Sequence, residues 1–193
     1  MKRTVYAALP MVALVGTITG CGPSASGAAS TSTPVSTVTT HVSASLPPAP
    51  AAPTAAKTAD CPYLDTSFVA DTNGQHVSSV KISAGDGQPH PSCFFYRPDG
   101  KVQVSVRVYV GQPDLAQAIV NQAAPVATSD PASDPAGWQG GLLSGGYNGM
   151  NDPTGTATYA VYKGGDAVVV WVNQAQSIKA RRITEQAIST LGL

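Results

Sequence analysis

The stretch Val102-Gln-Val-Ser-Val-Arg-Val-Tyr-Val110 decides the fold class, because valine alternates with other residue types over its whole length. Successive side chains of a β-strand point to opposite faces, so the valines share one face. The other face carries Gln103, Ser105, Arg107 and Tyr109. One apolar face and one more polar face are typical of a strand in an antiparallel sheet with one buried side.

A β-hairpin is predicted immediately before this strand. Residues 93–96 read Cys-Phe-Phe-Tyr and favour a strand, and Arg97-Pro-Asp-Gly-Lys101 connects them to the valine strand. In such a turn proline presets its own φ angle and glycine supplies a positive φ angle. A weaker strand is expected near residues 77–82, so that the sheet extends further on this side.

A second β-hairpin is predicted near the carboxyl end of the chain. Gly164-Gly165 separates the β-rich runs 156–162 and 167–172, which is a strong hairpin signal. The later run is apolar at almost every position, which indicates a central strand covered on both faces. A further weak strand is expected near residues 138–143.

Two helices are predicted. The first begins at Pro113-Asp114, since proline is tolerated and an acidic residue is favoured in the first turn, and it ends before Pro125. In the second, Ser177 is predicted as the N-cap; the helix runs to about Leu191, with Gly192 as its stop, and carries an apolar stripe at helical spacing. The sequence therefore predicts an α+β domain, an antiparallel sheet of about five to six strands with two helices.

The amino-terminal residues have the parts of an export signal. A positively charged start is followed by an apolar run from Val5 to about Gly16, which is too short to span a bilayer. The motif Ile18-Thr-Gly-Cys21 resembles the lipobox of bacterial lipoproteins at all four positions. This resemblance implies a signal peptide over residues 1–20 and a diacylglycerol thioether on Cys21, which then anchors the chain in the membrane. The alternative is a plain secretory signal in which Cys21 has no role.

The cysteines fit this interpretation. If Cys21 carries lipid, Cys61 and Cys93 remain as an even pair, and disulfides persist in exported proteins. We therefore expect a Cys61–Cys93 disulfide, whose loop closure stabilises the fold by about 3–4 kcal/mol in the chain-entropy model. The alternative is two free thiols in redox or metal chemistry, but their spacing matches neither C-x-x-C nor a zinc site. No metal and no cofactor is expected.

Composition divides the mature chain into a tether and a head. Residues 21–59 consist mainly of Ser, Thr, Ala and Pro, and Lys57 is the one charged residue among them. Such a segment has too little apolar area to fold, so it is predicted to be a disordered tether. Every Phe and Trp lies beyond Asp60, and residues 60–193 are predicted to form a single head domain. The full chain has 11 basic and 11 acidic residues, which argues against a nucleic-acid partner.

Candidate catalytic residues are few. His76 and His90 lie in Gly-, Pro- and Asn-rich stretches of the head and could serve a small envelope hydrolase. The chain has no G-x-S-x-G elbow to expose a serine nucleophile, and most aspartates stand beside typical turn residues. We therefore assign no catalytic residue, and the hydrolase stays an alternative.

A candidate binding face consists of Arg107, Tyr109 and Tyr147. Arg107 and Tyr109 share the more polar face of the valine strand, and tyrosine and arginine are favoured at interfaces. Tyr147 lies in the glycine-rich segment Gly140–Gly149, which is either a flexible connection or a mobile lip over a binding face. The alternative for the outward face of the strand is that a helix covers it.

The head resembles an uncharacterised domain family of actinobacteria. The residues that carry this resemblance are Cys61-Pro-Tyr-Leu64, Ser92-Cys-Phe-Phe-Tyr96 and the valine strand. Together with the lipobox and the tether, they make the chain similar to the small cell-envelope lipoproteins of mycobacteria and related bacteria. The resemblance covers residues 60–193 and implies a fold and a location on the extracytoplasmic face of the membrane, with the head in the cell wall. It implies no activity.

Three functions follow as hypotheses. The leading one is a non-enzymatic binding or accessory module, anchored through Cys21, for a wall glycan, a lipid or an exported protein. The alternatives are the hydrolase and a structural or assembly subunit. A mostly apolar cavity would favour lipid binding, whereas a large exposed apolar patch would favour assembly.

Overall fold

The computed structural model describes residues 45–85, 87–145 and 156–193, and these form one eight-stranded sheet with three helices. The strands are β1 (Ala55–Thr58), β2 (Ser79–Ser83), β3 (Cys93–Tyr96), β4 (Val102–Val110), β5 (Asp130–Ala132), β6 (Gln139–Ser144), β7 (Ala157–Lys163) and β8 (Asp166–Val172). The helices are α1 (Thr66–Asn73), α2 (Pro113–Ala123) and α3 (Ser177–Leu191). The order across the sheet is β1-β2-β3-β4-β8-β7-β6-β5, and every neighbouring pair is antiparallel.

The valine strand β4 lies in the middle of the sheet and pairs with β8, the apolar strand that was predicted to be central. Valines of β4 stand opposite valines of β8 in register, in the pairs Val104–Val172, Val106–Val170 and Val108–Val168. We call the face that bears these valines the first face. It forms the main core with α1 and α3, to which Val69 of α1 and Ile183 of α3 contribute.

The opposite side of the sheet, the second face, is covered in part by α2. Ile119 and Val120 of α2 form a smaller core with Tyr109, Ala160 and Ala167 from three strands. The small residues of the helix and of the strands allow the helix to lie close to the sheet. The first face therefore carries the main core, whereas α2, a helix of 11 residues, packs on the second face.

A β-bulge at the start of β4 changes the predicted facing of Gln103. Phe95 pairs with Val104 and Tyr96 with Val102, so Gln103 is an extra residue in β4. Its side chain is fully buried and accepts a hydrogen bond from Nδ2 of Asn73 in α1. Alternation predicts Gln103 on the outer face, and the bulge is the physical reason why this prediction is wrong.

The fold class is confirmed as α+β with an antiparallel sheet, but the predicted five to six strands and two helices are too few. The structure adds β1, β5 and α1 among the described residues. These elements are short, with 4, 3 and 8 residues, and none has an apolar pattern long enough to be detected. The strands depend on backbone hydrogen bonds to a neighbour that the sequence alone does not identify.

Strand β1 changes the predicted boundary between tether and head. Its residues belong to the segment predicted as tether, yet they pair with β2, for example Lys57 with Ile82. The described residues, from 45 onward, belong to one compact unit. The head therefore begins well before residue 60. Three of the four side chains of β1 are exposed, which explains why composition marks this stretch as tether.

Helix α1 begins and ends with two local signals. The carboxylate of Asp65 accepts hydrogen bonds from the backbone N–H groups of Ser67 (2.7 Å) and Phe68 (3.4 Å), as an N-cap does. Bonding to the Ser67 hydroxyl, and then to these N–H groups, lowers the pKa of the Asp65 carboxyl. Gly74 ends the helix with a φ angle of +71°. Asp65, predicted as a turn aspartate, is thus a helix cap.

The predicted disulfide is confirmed. Cys61 and Cys93 are joined, with their Cα atoms 5.7 Å apart. The bond links the segment just before α1 to the first residue of β3, and both cysteines are buried. It therefore encloses α1 and β2 in one covalent loop.

Candidate functional site: an apolar groove on the second face

Helix α2 leaves part of the second face uncovered. It packs over β7 and β8 through its alanines and Ile119, but β3 and the middle of β4 lie beyond it. A groove with a cavity volume of about 240 Å³ opens there, between α2, the strands and the chain segment that precedes β1. It is lined by Ala52, Pro53, Ser92, Phe94, Ser105, Val106, Arg107, Ile119, Gln122, Ala123, Thr158, Val169 and Trp171.

The floor of the groove is one row of side chains across four strands. Phe94 of β3 stands opposite Ser105 of β4, Ser105 stands opposite Trp171 of β8, and Trp171 stands opposite Thr158 of β7. Residues directly opposite in a sheet share a face, so large aromatic and small hydroxyl side chains alternate along this row. The two small side chains leave the space that the aromatic rings border.

The next row continues the apolar floor toward α2. Arg107 of β4 stands opposite Val169 of β8, and Val169 stands opposite Ala160 of β7. On the helix side, Ile119, Gln122 and Ala123 close the groove. The result is a mostly apolar concave surface with a few polar groups at its edge, which is typical of a small-molecule site.

Arg107 connects the groove to the segment that precedes β1. Its Nη2 atom donates hydrogen bonds to the carbonyl oxygens of Pro50 (3.2 Å) and Ala51 (3.3 Å). The next two residues, Ala52 and Pro53, form one wall of the groove. A guanidinium group presents several donors in a plane, so it can bridge two successive carbonyl groups.

The predicted binding face is only partly assembled at this site. Arg107 lines the groove, but Tyr109 is buried against α2, and its hydroxyl oxygen accepts a hydrogen bond from the backbone N–H of Gln112 at 3.1 Å. At Tyr109, α2 covers the outer face of the strand, which is the alternative that the sequence left open. Tyr147 lies outside the described residues. The first part of the glycine-rich segment, from Gly140 to Ser144, belongs to β6.

Sequence reasoning missed the two aromatic residues of the groove. Phe94 and Trp171 stand in strands that were predicted correctly, but their facing depends on the pairing register. One signal was available, because Ser105 is a small residue on the outer face of the valine strand. A small side chain in the middle of a sheet leaves space between its larger neighbours.

The two histidines of the head are far from each other along β2. His76 is exposed and lies three residues before β2, and its carbonyl oxygen accepts a hydrogen bond from Gln103 Nε2. His90 lies beyond the other end of β2, where its ring meets Tyr63 edge-on, with 6.4 Å between ring centroids. Within the described ranges neither histidine side chain has a hydrogen bond to an aspartate. Burial raises the pKa of the Tyr63 hydroxyl, which donates to the carbonyl oxygen of Pro91.

In the described part of the chain, the structure has neither a metal-binding cluster nor a helix that could cross a membrane. No group of three His, Cys, Asp or Glu side chains there is placed to hold a metal ion. No helix in residues 45–85, 87–145 and 156–193 has the length and hydropathy needed to cross a membrane.

A family model described as "Domain of unknown function (DUF2020)" matches residues 44–193, which is most of the chain. The chain belongs to this family. The family match begins before β1, in agreement with the head boundary that the sheet indicates. The whole groove, including its wall at Ala52 and Pro53, thus lies within the DUF2020 domain. No curated protein matches the chain.

Proposed function

We propose that the chain is a lipid-anchored envelope protein of an actinobacterium whose head binds a small apolar group of an envelope lipid, such as a ring or an acyl segment. The observation that carries this proposal is the groove of about 240 Å³ beside α2. Pockets for drug-sized ligands measure roughly 300–1,000 Å³, so this groove suits a part of a lipid rather than a whole one.

The residues of the groove define the chemistry of such a ligand. The rings of Phe94 and Trp171 provide flat apolar contact area, and the hydroxyl groups of Ser105 and Thr158 lie between and beside them. An apolar ligand group displaces water from this surface, which is favourable in proportion to the area buried. The ligand is therefore expected to be amphipathic, with its polar part toward the open edge at Arg107.

Two further observations favour a binding protein over the alternatives. The separate positions of His76 and His90 give no support to a hydrolase that would use either of them. Among the described residues, the large apolar side chains that are exposed are Val126 and Ile178, which belong to different parts of the chain. These two residues do not make the continuous patch that an assembly subunit would present.

The proposed anchor is a diacylglycerol thioether on Cys21. It is supported by the lipobox residues and by the Ser/Thr/Ala/Pro-rich segment that separates Cys21 from the head. We expect the Cys21→Ala variant to move from the membrane fraction to the aqueous fraction after cell lysis. Thr17→Ala, which lies outside the four lipobox positions, should stay with the membrane. Equal retention of both variants would refute the anchor.

Filling the groove tests the binding proposal. In a chain carrying Cys21→Ala, the uncharged dye N-phenyl-1-naphthylamine should bind with enhanced fluorescence. Ala123→Trp places a large ring into the groove from α2, so the affinity for the dye should fall about tenfold or more, which corresponds to roughly 1.4 kcal/mol of binding free energy.

The matched control is Ala127→Trp. Ala127 is exposed, follows α2 and does not line the groove, so the same substitution there should leave the dye affinity unchanged. Binding that is equal in both variants would locate the dye elsewhere. A wild-type head that binds neither the dye nor acyl-chain competitors would contradict the proposed function.

A further inference from the structure

We propose that residues 49–53 form a displaceable strap over the groove, that Arg107 is the residue that positions it, and that its displacement admits the apolar ligand. This inference rests on the proposed function for the nature of the ligand. Displacement of the strap itself is measurable without any ligand.

The strap lies on the second face without being part of the sheet. It has no regular secondary structure, and Pro50, Ala51 and Ala52 are exposed. Ala49 packs against the small core beneath α2, and Ala52 and Pro53 line the groove. Pro50 and Pro53 lack a backbone N–H group, so they cannot donate to a neighbouring strand. The strap therefore contacts the head through small apolar side chains and its carbonyl groups.

The strap is held in different ways at its carboxyl end and in its middle. Directly after it, β1 begins at Ala55 and pairs with β2, where Ala55 stands opposite Ser83. In its middle, the hydrogen bonds from Arg107 to Pro50 and Ala51 join residues more than fifty positions apart in sequence. These bonds are at the exposed edge of the groove, where water competes for the same groups. A segment that is fixed in the sheet at one end, and held further along by the hydrogen bonds of Arg107 and the packing of Ala49, can swing about the start of β1.

Movement of the strap would change the groove directly. Because Ala52 and Pro53 form one wall, their departure widens the opening above Ser105 and Trp171. In the chain, the strap also lies between Cys21 and β1, where the chain enters the sheet. A pull on the tether would therefore reach the groove through the strap.

Tryptophan fluorescence can report the position of the strap. The chain has two tryptophans. Trp171 lines the groove, whereas Trp138 is buried in the main core with the Lys163 ammonium 5.2 Å from its ring centroid. In a Trp138→Phe background, acrylamide quenching therefore reports the exposure of Trp171 alone. Arg107→Met removes the donors but keeps an apolar stem, and it should raise the quenching constant about twofold through increased local opening.

Matched variants separate the strap from a general effect of charge or stability. Arg97→Met removes a guanidinium that pairs with Asp99 in the β3–β4 turn, away from the strap, and should leave the quenching of Trp171 unchanged. Ala51→Gly combined with Pro50→Gly loosens the strap while Arg107 stays intact, and it should act in the same direction as Arg107→Met. Unchanged quenching in both strap variants, or an equal rise in Arg97→Met, would overturn the inference.

Dye binding then distinguishes this inference from the proposed function. If the strap controls access, the association rate constant for N-phenyl-1-naphthylamine should rise about threefold or more in Arg107→Met, as expected when opening limits binding. Arg107→Lys retains a single donor group, so its association rate constant should lie between those of the wild type and Arg107→Met. Increased quenching with no dye binding in any variant would support the strap and contradict the proposed function. Dye binding to the wild type with unaltered quenching and rate in the strap variants would contradict the strap alone.

Discussion

Replacing both Cys61 and Cys93 with serine should lower the melting temperature of the chain by roughly 10–15 °C. The disulfide closes a loop between positions separated by 32 residues, and this loop contains α1 and β2. Its removal returns conformational entropy to the unfolded chain and costs about 3–4 kcal/mol of folding free energy. Cys93 is fully buried, so the hydroxyl group of a serine there adds a desolvation cost to the entropic one.

Reduction provides the control for this prediction. A thiol reductant should lower the melting temperature of the wild-type chain toward that of the double serine variant and should leave the variant itself unchanged. Thermal unfolding followed by far-ultraviolet circular dichroism measures both. A double variant that melts within about 2 °C of the wild type would show that packing around α1 suffices without the bond.

The elements with strong apolar periodicity could be predicted closely from the sequence. Strand β4 has the predicted limits, Val102–Val110, and α3 ends at Leu191 as predicted. The predicted cap of α3 is wrong by one residue, because the N-cap is Gln176 and Ser177 is already helical. In both, side chains of one type recur with the period of the element, because one face of each is buried in the core. The hairpin turns were equally clear, since their glycines adopt positive φ angles, as at Gly100 and Gly164.

Elements that depend on a partner could not be predicted in this way. Strand β1 has exposed side chains and exists because β2 offers it backbone hydrogen bonds. Helix α1 has a cap residue at each end, but between them the fully buried residues are Val69 and Asn73, which is too little for a recognisable apolar stripe. Asn73 instead donates from its amide nitrogen to Gln75, Gln103 and Asn173, a polar cluster that no local pattern reveals.

The groove is a property of the strand register rather than of any segment. Phe94 and Trp171 are 77 positions apart in the sequence. They border the same space because each stands directly opposite Ser105, Phe94 on one neighbouring strand and Trp171 on the other. A shift of one residue in either pairing would move these rings to the first face. Arg107 was predicted on the outer face from alternation alone, but its bonds to Pro50 and Ala51 depend on where the amino-terminal segment crosses the sheet.

Strand β6 illustrates how a glycine can be misinterpreted. The glycine-rich segment Gly140–Gly149 was interpreted as a flexible connection or a mobile lip, although a weak strand was predicted near residues 138–143. Gly140 lies in β6 and stands opposite Val161 in the sheet. A Cβ atom added to Gly140 would lie 2.0 Å from the carbonyl oxygen of Ala160 and 2.9 Å from the Cα atom of Val161. Glycine is therefore required here because the backbone of β7 approaches so closely, and not because the chain must move.

Gly140→Ala should accordingly destabilise the head by about 3 kcal/mol and lower its melting temperature by roughly 10 °C. The atoms that would collide with the new methyl group belong to the backbone of β7, which cannot shift without disturbing its pairing with β8. Gly85→Ala is the matched control, because a Cβ atom there meets no atom within 4 Å and its backbone is not in the left-handed region. That variant should melt within about 2 °C of the wild type, since surface substitutions typically change stability by less than about 0.5 kcal/mol. Two alanine variants with equal melting temperatures would mean that β6 does not approach β7 as closely at Gly140 as the structure has it.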